Sequence, residues 1–107
     1  MDTAQLAKLV NTELANVKPL ELVEKIKLLL VSPRCEMRPW EYGKSNQTYP
    51  CWIVLEHENS NICIAYCSLG FGPENPWGLL FKTGHLSMGM NSGWFPTLEA
   101  AFRDSMP

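Results

Sequence analysis

The chain has 107 residues, of which 46% are hydrophobic and 19% charged, the makeup of one globular domain that buries a single core without staples and is not disordered. Its net charge of −2 argues against a phosphate-tracking nucleic-acid binder, which needs a basic stripe. No run of about 18 apolar residues is present and the N-terminus lacks a basic stretch followed by an apolar one, so the expectation is a cytoplasmic protein with no membrane span.

The first predicted element is a helix over 3–17. Leu6, Leu9, Val10, Leu14 and Val17 recur at three- and four-residue spacing, and Asp2 with Gln5 forms a capping-box start. Pro19 suits the first turn of a second helix to about Leu30, with the stripe Leu20, Val23, Ile26, Leu30 widened by Leu22 and Leu29. Lys18-Pro19 is either this boundary or a kink in one longer helix.

Residues 34–38 alternate, with Cys35 and Met37 inward and Arg34, Glu36 and Arg38 outward, which predicts a strand with one solvated face. A loop from Pro39 to Pro50 follows, carrying Trp40, Tyr42 and Tyr49. Residues 51–57 and 62–68 form a hairpin about the turn-prone tetrad Glu58-Asn59-Ser60-Asn61. Pairing His57 with Ile62 sets Leu55 opposite Ile64 and Ile53 opposite Tyr66. Cys51, Ile53, Leu55, Ile62, Ile64 and Tyr66 then share the core face. After the non-regular segment Leu69–Gly78, a second hairpin pairs 79–82 with 85–90 around Thr83-Gly84. Asn91–Pro96 reads as a turn, and Thr97 caps a short C-terminal helix whose stripe is Leu98, Ala101 and Phe102. The expected fold is α+β in two layers: an antiparallel meander of about five strands with two N-terminal helices and one C-terminal helix.

The sheet face away from the helices would gather Trp52, Val54, Glu56, Cys63, Ala65, Cys67, Lys82, His85 and Ser87. Its mixed character fits either a contact surface or a face covered by the 69–78 loop or the last helix. The aromatic residues Trp40, Tyr42, Phe71, Trp77, Trp94 and Phe95 sit in loops, where they serve either as partner anchors or as plugs at the ends of the core. The candidate binding residues are Trp52, Glu56, Trp77, Lys82, His85 and Trp94. No catalytic residue, metal or cofactor is expected. His57, Cys63, Cys67 and His85 lack metal-ligand spacing, and nothing activates Cys63 beside His85 as a nucleophile. The glycines at 70, 72 and 78 do not form a phosphate-binding loop. This register puts Cys51 and Cys67 on opposite faces, and it separates Cys63 from Cys67 by about 13 Å, so neither pair forms a disulfide.

The stretches YPCWIVLEH, GFGPENPWGLLF and NSGWFPTLEAAFRDS resemble small bacterial proteins carried on mobile DNA: integron gene-cassette products and, more loosely, immunity proteins that neutralise a cognate toxin. The likeness spans about residues 49 to 105 and brings no catalytic motif. It implies a compact cytoplasmic binding protein; separately, the mixed sheet face would suit a protein partner or a homodimer that pairs this face with itself. The alternative is a small-molecule-binding protein or minor enzyme with a pocket between the sheet and the 69–78 loop, using His85 and Glu56 as acid and base.

Overall fold

A computed structural model describes residues 1–40, 47–84, 86–89 and 91–106. Three helices lie on one side of a five-stranded antiparallel sheet whose strands follow chain order, β1-β2-β3-β4-β5. The two-layer α+β meander is as the residue patterns predict.

Helix α1 (Thr3–Ala15) starts at the capping box: the Asp2 carboxylate accepts from the Gln5 backbone N–H, and the Gln5 side chain accepts from the Asp2 N–H. Helix α2 (Leu20–Leu29) is separate, with Pro19 as its N-cap. Leu6, Val10, Leu14, Leu22, Val23 and Ile26 enter the core. Leu20, expected in that stripe, is exposed because it occupies the first helical position, turned off the buried face. Helix α3 (Leu98–Ser105) is capped by the Thr97 hydroxyl, which accepts from Ala100 N–H at 3.1 Å. The Glu13 carboxylate of α1 accepts a second free N–H of that first turn, from Leu98 at 2.8 Å, and so docks α3 on α1.

Strands β1 (Leu30–Pro39), β2 (Thr48–Glu56), β3 (Ile62–Tyr66), β4 (Trp77–Phe81) and β5 (Trp94–Phe95) form the sheet. The predicted hairpin register holds at its closed end. His57 N–H donates to Ile62 O, and Leu55 pairs with Ile64. A bulge between Ile53 and Leu55 then inserts one extra residue into β2, so Ile53 pairs with Ala65 and Trp52 with Tyr66. One extra residue exchanges the faces of everything beyond it in β2. Val54 and Trp52 therefore join Leu55 and Tyr66 in the helix-side core, while Cys51 and Ile53 turn to the opposite face.

That opposite face is a second core. Cys51, Ile53, Cys63, Ala65, Cys67, Leu80, Met88 and Trp94 are buried there, with Trp40, Tyr49 and Phe71 packed around them. The rings form a continuous seal: Trp40 meets Tyr49 at 5.6 Å and Phe71 at 4.9 Å, and Phe71 reaches Trp94 at 5.8 Å. The outward side of β1 lands on this face too, since Glu36 pairs with Cys51 and Arg38 with Tyr49. Arg38, expected in solvent, is 1% exposed, and Met37, expected inside, is 58% exposed on a margin that the helices do not cover.

The predicted strand 85–90 is corrected: Leu86–Gly89 are not in a strand, and His85 and Met90 lie outside the described residues. Gly84 and Gly89 both hold positive φ, which breaks an extended ladder. The chain instead crosses the second face, where Met88 N–H donates to Pro39 O at 2.9 Å. The fifth strand is Trp94–Phe95, expected as a turn, with Trp94 opposite Gly78.

Candidate functional site

Helix α2 runs into β1 with no intervening loop, Leu29 ending one and Leu30 beginning the other. Lys25, Leu28 and Leu29, at i, i+3 and i+4, form one wall of a groove at this junction. Phe102 and Met106, at and just past the end of α3, form the opposite wall, and His57 and Glu58 at the tip of the β2–β3 hairpin lie between them, around a space of about 490 Å³. A second space of about 300 Å³ continues from it past Leu30 and Val31 to Glu56 and Lys82. The two share Leu28, Leu29, His57 and Glu58 and make one groove.

His57 is fixed from three sides. Its ring stacks on Phe102 with centroids 5.6 Å apart and an interplanar angle of 19°. Lys82 Nζ donates to its backbone carbonyl at 2.6 Å. Its Nε2 lies 2.7 Å from Ser105 Oγ, and that hydroxyl donates to Phe102 O at 2.7 Å. The one serine proton is thus used on a carbonyl, and hydrogen-bond satisfaction assigns the imidazole proton to Nε2, donating to Oγ. Burial, and then the Lys82 charge, pull the His57 pKa below its ordinary value, so the ring is neutral near neutral pH. A serine that faces an N–H has no base to take its proton. The pair ties α3 to the hairpin and does not form a nucleophile–base dyad.

Glu56 accepts from Arg34 Nη2 at 3.0 Å, and Arg34 Nε donates to Glu36 at 3.0 Å. Glu36 in turn takes Nε and Nη2 of Arg38 on one oxygen, at 3.1 and 2.6 Å, while Arg38 Nη1 donates to Phe81 O at 2.8 Å. Burial opposes the Glu36 charge, but the hydrogen bonds from Arg38 and Arg34 together hold its pKa below the ordinary carboxylate value. This chain of charges closes one flank of the groove and accounts for the buried guanidinium.

The six candidate binding residues do not form one surface. Glu56 and Lys82 line the groove. Trp52 lies toward the other end of β2, half-buried against the helix side, beside a separate cleft with Cys35, Tyr66 and Cys67. Trp77 and Trp94 are core rings, 1% and 4% exposed, which removes them as surface anchors. Trp77 stands edge-on to Tyr66 at 5.0 Å, and Trp94 Nε1 donates to Met88 O at 2.8 Å. His85 and the loop residue Tyr42 lie outside the described residues. Phe71 packs against Trp40 and the second core, and the cleft beside Trp52 reaches the start of the 69–78 loop at Leu69.

Cys63 is fully buried, and burial pushes its thiol up to about 11, which leaves it inert as a nucleophile. Among the described residues, no group of three or more His, Cys, Asp or Glu side chains is placed to hold a metal ion. No helix among them is long and apolar enough to cross a membrane. Leu28 is a groove residue that the sequence patterns do not single out; Phe102 enters there only as a core residue of the last helix, and His57 only as the register-setting end of the hairpin and a metal-ligand candidate. The one available signal was Leu28 itself, an apolar side chain off the buried stripe of α2. No protein-family profile, curated protein or solved structure matches the chain.

Proposed function

We propose that this protein is a non-enzymatic binding module of gene-cassette or immunity type, resident in the cytoplasm, which acts by protein–protein contact at the groove around His57. The observation that carries this reading is Leu28. It is 81% exposed on the groove wall, next to Lys25 and across from Phe102 and Met106. An apolar wall rimmed by Lys25, Glu58, Glu56 and Lys82 has the composition of a contact patch: a small desolvated centre inside a charged border. His57 takes part in this wall as a packed ring, stacked on Phe102 and tied through Nε2 to Ser105 Oγ.

Leu20 supplies an internal control, since it is 77% exposed on the same helix yet lines no part of the groove. Wild-type protein, Leu28→Arg and Leu20→Arg are used as baits in bacterial extract, with captured proteins quantified by mass spectrometry. The partner is expected to survive Leu20→Arg and to fall by about tenfold or more with Leu28→Arg. Equal recovery on all three baits rules the groove out as the contact surface. Recovery of the chain itself alone assigns the groove to a homodimer.

A further inference from the structure

Leu28 is the most exposed large apolar side chain among the described residues, and it stands beside the open space of about 490 Å³ at the centre of the groove. Phe102 and Met106 line that same space from the other wall. An apolar side chain that enters from outside is therefore desolvated on both walls at once.

The charges on the border decide which partner fits. Glu56 is already neutralised by Arg34 at 3.0 Å, and Lys82 Nζ is already engaged on the His57 carbonyl at 2.6 Å. Lys25 and Glu58 remain. Both are exposed, and neither side chain has an ion-pair partner among the described residues. One free cation and one free anion give a strongly acidic or strongly basic partner no net charge to complement. A border with one free charge of each sign complements itself. When two copies meet about a two-fold axis, every contact occurs twice with the roles exchanged. The net charge of −2 makes two copies repel weakly overall, but a contact at this border is electrically balanced.

We propose that the groove is the interface of a homodimer. Leu28 of each copy enters the space lined by Phe102 and Met106 of the other, and Lys25 of each copy opposes Glu58 of the other at the rim. The homodimer rests on the same groove being a protein contact, and it names the partner. The groove supplies fewer residues than the roughly 20–30 a side of a standard interface, so the dimer is weak, with a dissociation constant in the micromolar range.

The experiment follows the mass of the purified chain by sedimentation equilibrium from micromolar to near-millimolar concentration. Leu20→Arg, Leu28→Arg, Lys25→Glu, Glu58→Lys and the double exchange Lys25→Glu/Glu58→Lys are measured alongside. All four positions are exposed, so the folded monomer is retained. Wild type and Leu20→Arg are expected to approach two chains per particle as concentration rises. Leu28→Arg is expected to weaken the dimer by about tenfold or more. Each single charge reversal sets two like-charge pairs at the rim and is expected to weaken it by about fivefold. The double exchange is expected to return it to within about twofold of wild type. A single-chain mass at every concentration, a dimer indifferent to Leu28→Arg, or a double exchange no better than the single reversals overturns the homodimer. The first result leaves the groove standing as a contact if a foreign protein is captured through Leu28. The second, together with equal recovery on the three baits, removes the groove as well.

Discussion

The two faces of the sheet are both cores, built by different means. On the helix side, Leu6, Val10, Ile26 and Phe102 are delivered by regular periodicity: each helix has an apolar stripe, and the stripes meet over Leu55 and Ile64. On the other side, Trp40, Phe71, Met88 and Trp94 come from segments with no period, and a buried arginine completes the wall. The helix-side core tolerates small adjustments because helices can shift on a sheet. The loop-side core is held by close fits between particular rings and the backbone, so it has fewer ways to relax.

The largest expected effect breaks the helix-side core. Phe102→Ala removes a ring of α3 that is buried in that core and also supports His57, and it should cost about 4 kcal/mol in chemical denaturation. The next tests the close fit on the other face. A Cβ at Gly78 would sit 2.5 Å from Cδ2 and Cζ2 of the Trp94 indole. Gly78→Ala should therefore cost about 2–3 kcal/mol and shift the tryptophan fluorescence, although it adds only one methyl group. A cost near zero would show that the loop-side ring moves freely, and the contrast between the faces would fail.

A smaller effect concerns the buried guanidinium. Arg38→Met leaves Phe81 O and one Glu36 oxygen without their donor and should cost about 1–2 kcal/mol at neutral pH. The folded-state pKa of Glu36 lies below its ordinary 4.5, so its contribution is present above that value and is lost as pH falls through the folded pKa. Acid denaturation of Arg38→Met should show a weaker loss in this window, with Arg34 retaining a share. The smallest expected effect is at His57. Its folded pKa lies below 6.5, so between that depressed value and 6.5 the unfolded chain binds more protons, and stability rises with pH across the window. His57→Gln should flatten this slope relative to wild type, and an unchanged slope would place the titration elsewhere.

The same contrast accounts for what could be read from the residues. The helices, the meander order, the capping box and the Leu55–Ile64 pairing were legible because each rests on local periodicity or on a turn. The faces of β2 were not, because a bulge at Val54 leaves no mark in an unbroken apolar run, and one residue inverts everything before it. Arg38 was misplaced for a related reason: alternation separates the two faces of a strand but does not say whether the second is wet. The groove was half legible. Glu56 and Lys82 were chosen for their charge, but Leu28 and Phe102 come together only through the abrupt junction of α2 with β1 and the docking of α3.

That sheet ends on one side in β1, a ten-residue strand which, among the described residues, has a neighbouring strand along a single margin. A long edge of this kind is a template for fibre growth. Pro33 and Pro39 cannot donate to an incoming strand, the register shift between Leu30 and Arg34 bends the backbone, and Arg34 and Glu36 set charges along it. The outermost strand is thereby protected against stacking with other copies, and the molecule can carry exposed Met37 there without recruiting a second sheet.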